Sequence, residues 1–117
     1  MNYLIYFLIL LTSFCLGELN RPSSGELINY VHVVFDWDQE PMAHSYQLEL
    51  SPSPNITFSD NTIIINEVRT TYVEQNHIEW NRKYFWRVRP IYNDNSYGSW
   101  IGPDSFMTAQ PELGPFY

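Results

Sequence analysis

The chain has one cysteine, five glycines and six lysine and arginine residues among 117. A single cysteine cannot close an intramolecular disulfide, so a disulfide scaffold is excluded. Six cations against thirteen carboxylates leave a net charge of −7, which repels phosphate backbones and argues against nucleic acid as a partner. His32, His44 and His77 are too scattered for a zinc site. There is no Gly-x-Ser-x-Gly, phosphate loop or dinucleotide fingerprint, so no local signature supports a catalytic site or a cofactor. Helix-period segments are missing after residue 18, and no internal repeat has solenoid or propeller spacing.

What is present is apolar and aromatic. Hydrophobic residues make up 44% of the chain and aromatics 17%, with eight prolines. That composition supports one all-β domain with a real core and many turns.

Residues 4–11 form an unbroken apolar run of signal-peptide length, too short for a membrane span. The reading is a signal peptide over residues 1–17, although Met1-Asn2-Tyr3 lacks the usual lysine or arginine. Cleavage after Gly17 would put the small residues Cys15 and Gly17 at positions −3 and −1 and leave a mature chain without cysteine. Phe14 directly before Cys15 is too large for a lipidation motif. The expected location is secreted or cell surface, with membrane attachment only if the segment stays uncleaved.

Beyond it, residues 20–25 read as a lead-in with a turn at Pro22 and Gly25. Residues 31–38 alternate, with Val31, Val33, Phe35 and Trp37 inward and His32, Asp36 and Asp38 outward. Residues 45–51 alternate again, with Tyr46, Leu48 and Leu50 on one face and Gln47 and Glu49 on the other. Residues 62–68 and 70–73 are short β-branched strands, and 76–83 is a turn-rich connection in which Trp80 is expected to plug the base of the domain. In Tyr84-Phe85-Trp86-Arg87-Val88-Arg89-Pro90, Tyr84, Trp86 and Val88 share the inward parity while Phe85, Arg87 and Arg89 point outward. Residues 92–98 are a hairpin loop and 105–108 the closing strand. About seven short strands with regular turn signals predict an antiparallel, immunoglobulin-like β-sandwich. Residues 109–117, with two prolines and a glycine, read as a linker or truncated tail.

Residues 20–108 resemble a fibronectin type III domain. Trp37 stands at the family's second-strand core tryptophan, Tyr46 at its third-strand tyrosine, and Tyr84 at the start of the sixth strand. Gly98 and Ser105-Phe106-Met107-Thr108 match the last hairpin and strand. The resemblance implies that the Tyr84 hydroxyl donates to a carbonyl a few residues upstream. By their inward parity, Trp37 and Trp86 are expected to be buried on strands of opposite sheets. The turn before the sixth strand departs from the family, and there is no Arg-Gly-Asp. More faintly, residues 35–41 and 84–90 resemble the N-terminal module of bacterial secreted arylsulfotransferase-like proteins.

Several site readings follow. Asp36, Asp38 and Glu40 form a D-x-D-x-E pattern, but on an extended strand and before Pro41 they read as a solvated acidic edge rather than a calcium loop. Asn55-Ile56-Thr57 is an N-glycosylation sequon. Tyr92, Tyr97 and Trp100 are candidate surface aromatics for a protein or a glycan. Trp100 is expected beside Arg87 and Arg89, with Glu49 able to pair with one of them, similar to a ladder in some cytokine-receptor modules whose paired Trp-Ser motif is missing here.

The expectation is a non-catalytic spacer or interaction module that needs no cofactor or metal. One alternative is an accessory N-terminal domain of a larger secreted enzyme such as an arylsulfotransferase-like protein. The other is a stand-alone glycan- or protein-binding module using the 92–100 loop. Its partners would be other domains of the same parent chain, or a surface protein or glycan.

Overall fold

A computed structural model describes residues 17–56 and 61–111. Residues 1–16 of the expected signal peptide, the sequon's Thr57 and tail residues 112–117 lie outside the described residues.

Among the described residues there are eight strands: β1 (Leu19–Arg21), β2 (Glu26–Ile28), β3 (Val33–Trp37), β4 (Ala43–Ser51), β5 (Ile63–Glu67), β6 (Thr71–Glu74), β7 (Lys83–Tyr92) and β8 (Ile101–Thr108). They form a three-stranded sheet in the order β1-β3-β6 and a five-stranded sheet in the order β2-β8-β7-β4-β5. All pairings are antiparallel except β2 with β8.

Residues 20–25 are where the structure departs most from the sequence reading. The start of the lead-in belongs to β1, antiparallel to β3, and its end leads directly into β2, parallel to β8. Pro22 has no N–H to give to a ladder, and the chain changes sheets there. Three-residue strands on either side of such a break are too short to show a period.

The longer strands follow their parities. Phe35 and Trp37 from one sheet meet Tyr46, Leu48, Trp86, Val88 and Phe106 from the other, all buried. The Phe35 ring stands edge-on to Trp86 at 4.9 Å and to Phe106 at 5.8 Å, and Trp37 meets Tyr46 at 5.8 Å. Such contacts add to the area they bury. Among the described residues, the indole N–H groups of Trp37 and Trp86 meet no acceptor. Both rings are therefore held for their apolar surface, against the cost of a buried unpaired donor.

The expected bond of Tyr84 is reversed. Its hydroxyl accepts from the Glu79 N–H at 2.8 Å, five residues upstream, rather than donating to a carbonyl. The connection is held further by Thr108, whose hydroxyl donates to the Glu79 carbonyl at 2.6 Å and accepts from the Arg82 N–H at 3.0 Å. The Glu79 carbonyl accepts from Thr108, and its N–H donates to the tyrosine. Burial pushes the Tyr84 hydroxyl above its ordinary pKa. Tyr84→Phe should cost about 1–2 kcal/mol in urea unfolding, because the ring stays and the Glu79 N–H loses its acceptor. No measurable loss would mean that the bond adds nothing.

Trp80 is also corrected. It is 36% exposed, at the surface of the β6–β7 connection, and the base of the sandwich is closed by Ile78 instead.

Candidate functional site

The outer face of the five-stranded sheet is built around β7. Because Trp86 and Val88 point into the core, Lys83, Phe85, Arg87 and Arg89 point away from it. On β4, Glu49 pairs in register with Arg87 and Gln47 with Arg89. Glu49 Oε1 accepts from Arg87 Nη2 at 2.8 Å and from Nε at 3.2 Å. Gln47 Oε1 accepts from Arg89 Nε at 2.9 Å. Glu49, expected to pair with one of these arginines, does so with Arg87 and is buried there.

The segment between β7 and β8 folds back over these arginines. Asn95 has φ 66°, and Asp94 accepts from the Ser96 N–H at 3.0 Å and the Ser96 hydroxyl at 2.6 Å. These bonds hold the Asp94 carboxyl below its usual range. The Gly98 N–H donates to the Pro90 carbonyl at 2.9 Å. A Cβ on Gly98 would come within 2.5 Å of the Pro90 ring and 2.8 Å of the Tyr92 hydroxyl. Glycine is thus required for this close approach.

The return lays two aromatic rings on the guanidinium groups. Arg87 lies 4.0 Å and Arg89 4.4 Å from the centre of the Trp100 ring. Arg89 also lies 3.7 Å from the centre of Tyr97. Lys83 Nζ is 5.4 Å from the Phe85 ring. The order Tyr97, Arg89, Trp100, Arg87, Glu49 is one connected array of cation–π contacts ending in an ion pair. Each contact contributes about 0.5–1 kcal/mol at a partly exposed site. Trp100→Ala should therefore cost about 1–2 kcal/mol in urea unfolding. A variant as stable as the parent would show that the array fixes nothing.

Of the three expected surface aromatics, Tyr97 is 52% exposed, while Tyr92 and Trp100 are half-buried. Tyr97 and Trp100 already carry guanidinium groups on their rings, and Tyr92 packs against the Gly98 turn. Asn55 is exposed at the end of the β4 turn, away from this array in sequence.

The acidic trio does not form a solvated edge. Asp36 pairs with Arg21 at 3.1 Å, and Asp38 accepts from the Glu18 N–H at 3.1 Å and Asn20 Nδ2 at 2.8 Å. β1 covers β3, and these carboxylates hold it there. Among the described residues, no group of three or more His, Cys, Asp or Glu side chains is placed to hold a metal ion.

A second cluster escaped the sequence reading. Glu74 is 1% exposed at the end of β6. Its carboxylate accepts from the Asn76 N–H at 2.8 Å, the His77 N–H at 3.0 Å and the Tyr72 hydroxyl at 3.1 Å, with His77 Nδ1 at 3.0 Å. Two bonds to backbone N–H groups make it a cap on the turn after β6. The available signal was its inward parity with Tyr72, which a carboxylate adopts only when such partners meet it.

No protein-family model and no curated protein sequence matches the chain. Among solved structures, a Fn3-like protein from Clostridium thermocellum is similar, with a TM-score of 0.56 and 18% identity over 79% of this chain and 92% of that one. With two sheets, a Tyr84 bond to the turn before β7 and the β7–β8 pair inside the larger sheet, this chain has a fibronectin type III-like fold.

Proposed function

We propose that this domain is a non-catalytic interaction module of a secreted or surface-displayed protein, and that it docks another protein on the outer face of its five-stranded sheet. The observation that carries this reading is the array of Tyr97, Arg89, Trp100 and Arg87 on a flat sheet face. Aromatic residues, arginine and methionine are enriched in protein interfaces. Around the array, Leu27 is 66% exposed and Met107 45% exposed, side by side on β2 and β8. Ile64 is exposed beyond Glu49 on β5. Five strands span roughly 20–24 Å, a width suited to a protein rather than to a single sugar. Glycan stacking needs open ring faces, whereas Trp100 is half-buried with two guanidinium groups on its ring and Tyr97 has one face taken by Arg89.

The test places a photo-crosslinking residue at position 107 on this face, or at 73 on the outer face of β6, and irradiates the cells that make the protein. The expected result is a discrete crosslinked product from position 107 and none from 73. Equal products from both positions, or none from 107, would overturn the reading.

A further inference from the structure

We propose that the protein received on this face presents an acidic surface, with two carboxylate groups roughly 20 Å apart flanking an apolar patch. The inference rests on the docking reading above and names the chemistry of what docks. Lys83, Arg87 and Arg89 are three of the chain's six cationic side chains, and all three stand on the outer side of β7. Among the described carboxylates of the five-stranded sheet, only Glu49 shares that side. Glu26, Glu67 and Asp104 pair in register with Phe106, Tyr46 and Trp86, which place them on the inner side. A chain with a net charge of −7 thus carries one face with a local excess of cations.

The three cations differ in their commitments. Arg87 is neutralised by Glu49 at 2.8 Å. Arg89 meets a neutral amide oxygen on Gln47 and two rings, and Lys83 meets the ring of Phe85. Among the described residues, neither Lys83 nor Arg89 has a carboxylate partner. Six residues of extended strand separate them by roughly 20 Å. Phe85, Met107 and Leu27 lie toward the Lys83 end, and Trp100 and Tyr97 lie toward the Arg89 end.

A partner that covered this face without carboxylates would desolvate two unmatched cations, which opposes binding. Carboxylates at the two ends remove that cost and fix the orientation, while the apolar side chains supply contact area. A sulfated polysaccharide could reach the same cations, but it would leave Leu27, Met107 and Ile64 facing water. The face therefore favours an acidic protein.

The test measures binding of the whole chain, at low ionic strength, to an immobilised glutamate–tyrosine copolymer, to heparin and to poly-L-lysine. The expected result is binding to the copolymer despite the like net charge, lost by about 0.3 M salt, where screening cuts such contacts within a few ångströms. Lys83→Glu should weaken it about tenfold, with folding checked by thermal melting. Lys83 is exposed and serves no buried bond, so this variant should fold. Arg69→Glu, in the exposed β5–β6 turn, makes the same charge change elsewhere and should alter binding less than about twofold. Heparin binding without copolymer binding would overturn the inference in favour of a glycan. No copolymer binding, or equal losses from Lys83→Glu and Arg69→Glu, would overturn it outright. Crosslinking from position 107 separates this inference from the docking reading. If crosslinking persists while copolymer binding fails, only the partner's chemistry is wrong, and if both fail, the docking face is wrong as well.

Discussion

Trp86→Ala should lose about 3–5 kcal/mol of unfolding free energy, with Trp37→Ala close behind. Both rings are almost completely buried, on strands of opposite sheets, and truncation leaves a cavity that the sheets cannot collapse to fill. Trp86 also supports Phe35, whose ring stands 4.9 Å away. A domain of this size has a total stability of about 5–15 kcal/mol, so the alanine variant should be partly unfolded at growth temperature. Trp86→Phe should cost clearly less. It keeps most of the apolar area and removes an indole N–H that meets no acceptor. Urea unfolding of the three variants checks this, and a loss under about 1 kcal/mol for both alanine variants would contradict the core described above.

Glu74 is the second residue whose loss should be large. Glu74→Ala removes the acceptor of the Tyr72 hydroxyl and of two backbone N–H groups, and should cost about 3 kcal/mol. Its titration has a definite sign. Burial pushes the carboxyl upward, but bonds from the Asn76 N–H, the His77 ring, the Tyr72 hydroxyl and the His77 N–H outweigh it and hold the pKa below the ordinary 4.5. Glu74 therefore adds stability above pH 4.5, and this is lost as the pH falls through its depressed folded value. Tyr72 bounds the other side. Burial, and then the bond to Glu74, push its hydroxyl up to about 12. Its contribution is complete below the ordinary pKa of 10 and lost as the pH rises toward 12. Asp104 works against Glu74 in acid, because burial raises its carboxyl pKa and so favours the folded state as the pH falls. The parent minus Glu74→Gln difference isolates the Glu74 part. That difference should be largest near neutral pH and shrink below pH 4.5. A difference constant down to pH 2 would show that the carboxylate charge is immaterial.

How legible each feature was depended on the range of its signal. Strand parity reports on one residue and its immediate neighbours, which is why Phe35, Trp37, Tyr46, Leu48, Trp86 and Val88 were all readable as core. The stack of Trp100 on Arg87 was readable from the outward parity of Arg87 and Arg89 and from the place of Trp100 just past the loop, although Trp100 precedes β8 rather than standing on it. The second ring on Arg89 was not, because placing Tyr97 depends on the turn at Asn95 and the close approach at Gly98. β1 and β2 were missed because three residues hold no period, and their partners are far along the chain. That omission produced the error at Asp36 and Asp38, which were read as a free edge when β1 covers it. Trp80 was placed inside because tryptophan carries a large apolar area, but the neighbouring Ile78 fills that position. Glu74 was invisible to hydrophobic patterning, since a buried carboxylate is stable only through partners that the turn after it supplies.

Hydroxyl-radical footprinting tests the docking face most directly, because it oxidises methionine, tyrosine and tryptophan side chains that water can reach. The protein would be labelled once as the isolated domain and once in place on the cells that make it. Met107 and Tyr97 lie on the outer face of the five-stranded sheet, whereas Met42, in the β3–β4 turn, and Tyr30, between β2 and β3, lie outside the proposed footprint. The account predicts that Met107 and Tyr97 are oxidised in the isolated domain and protected in place, with Met42 and Tyr30 oxidised equally in both. Protection of Met42 and Tyr30 while Met107 and Tyr97 stay reactive would contradict it.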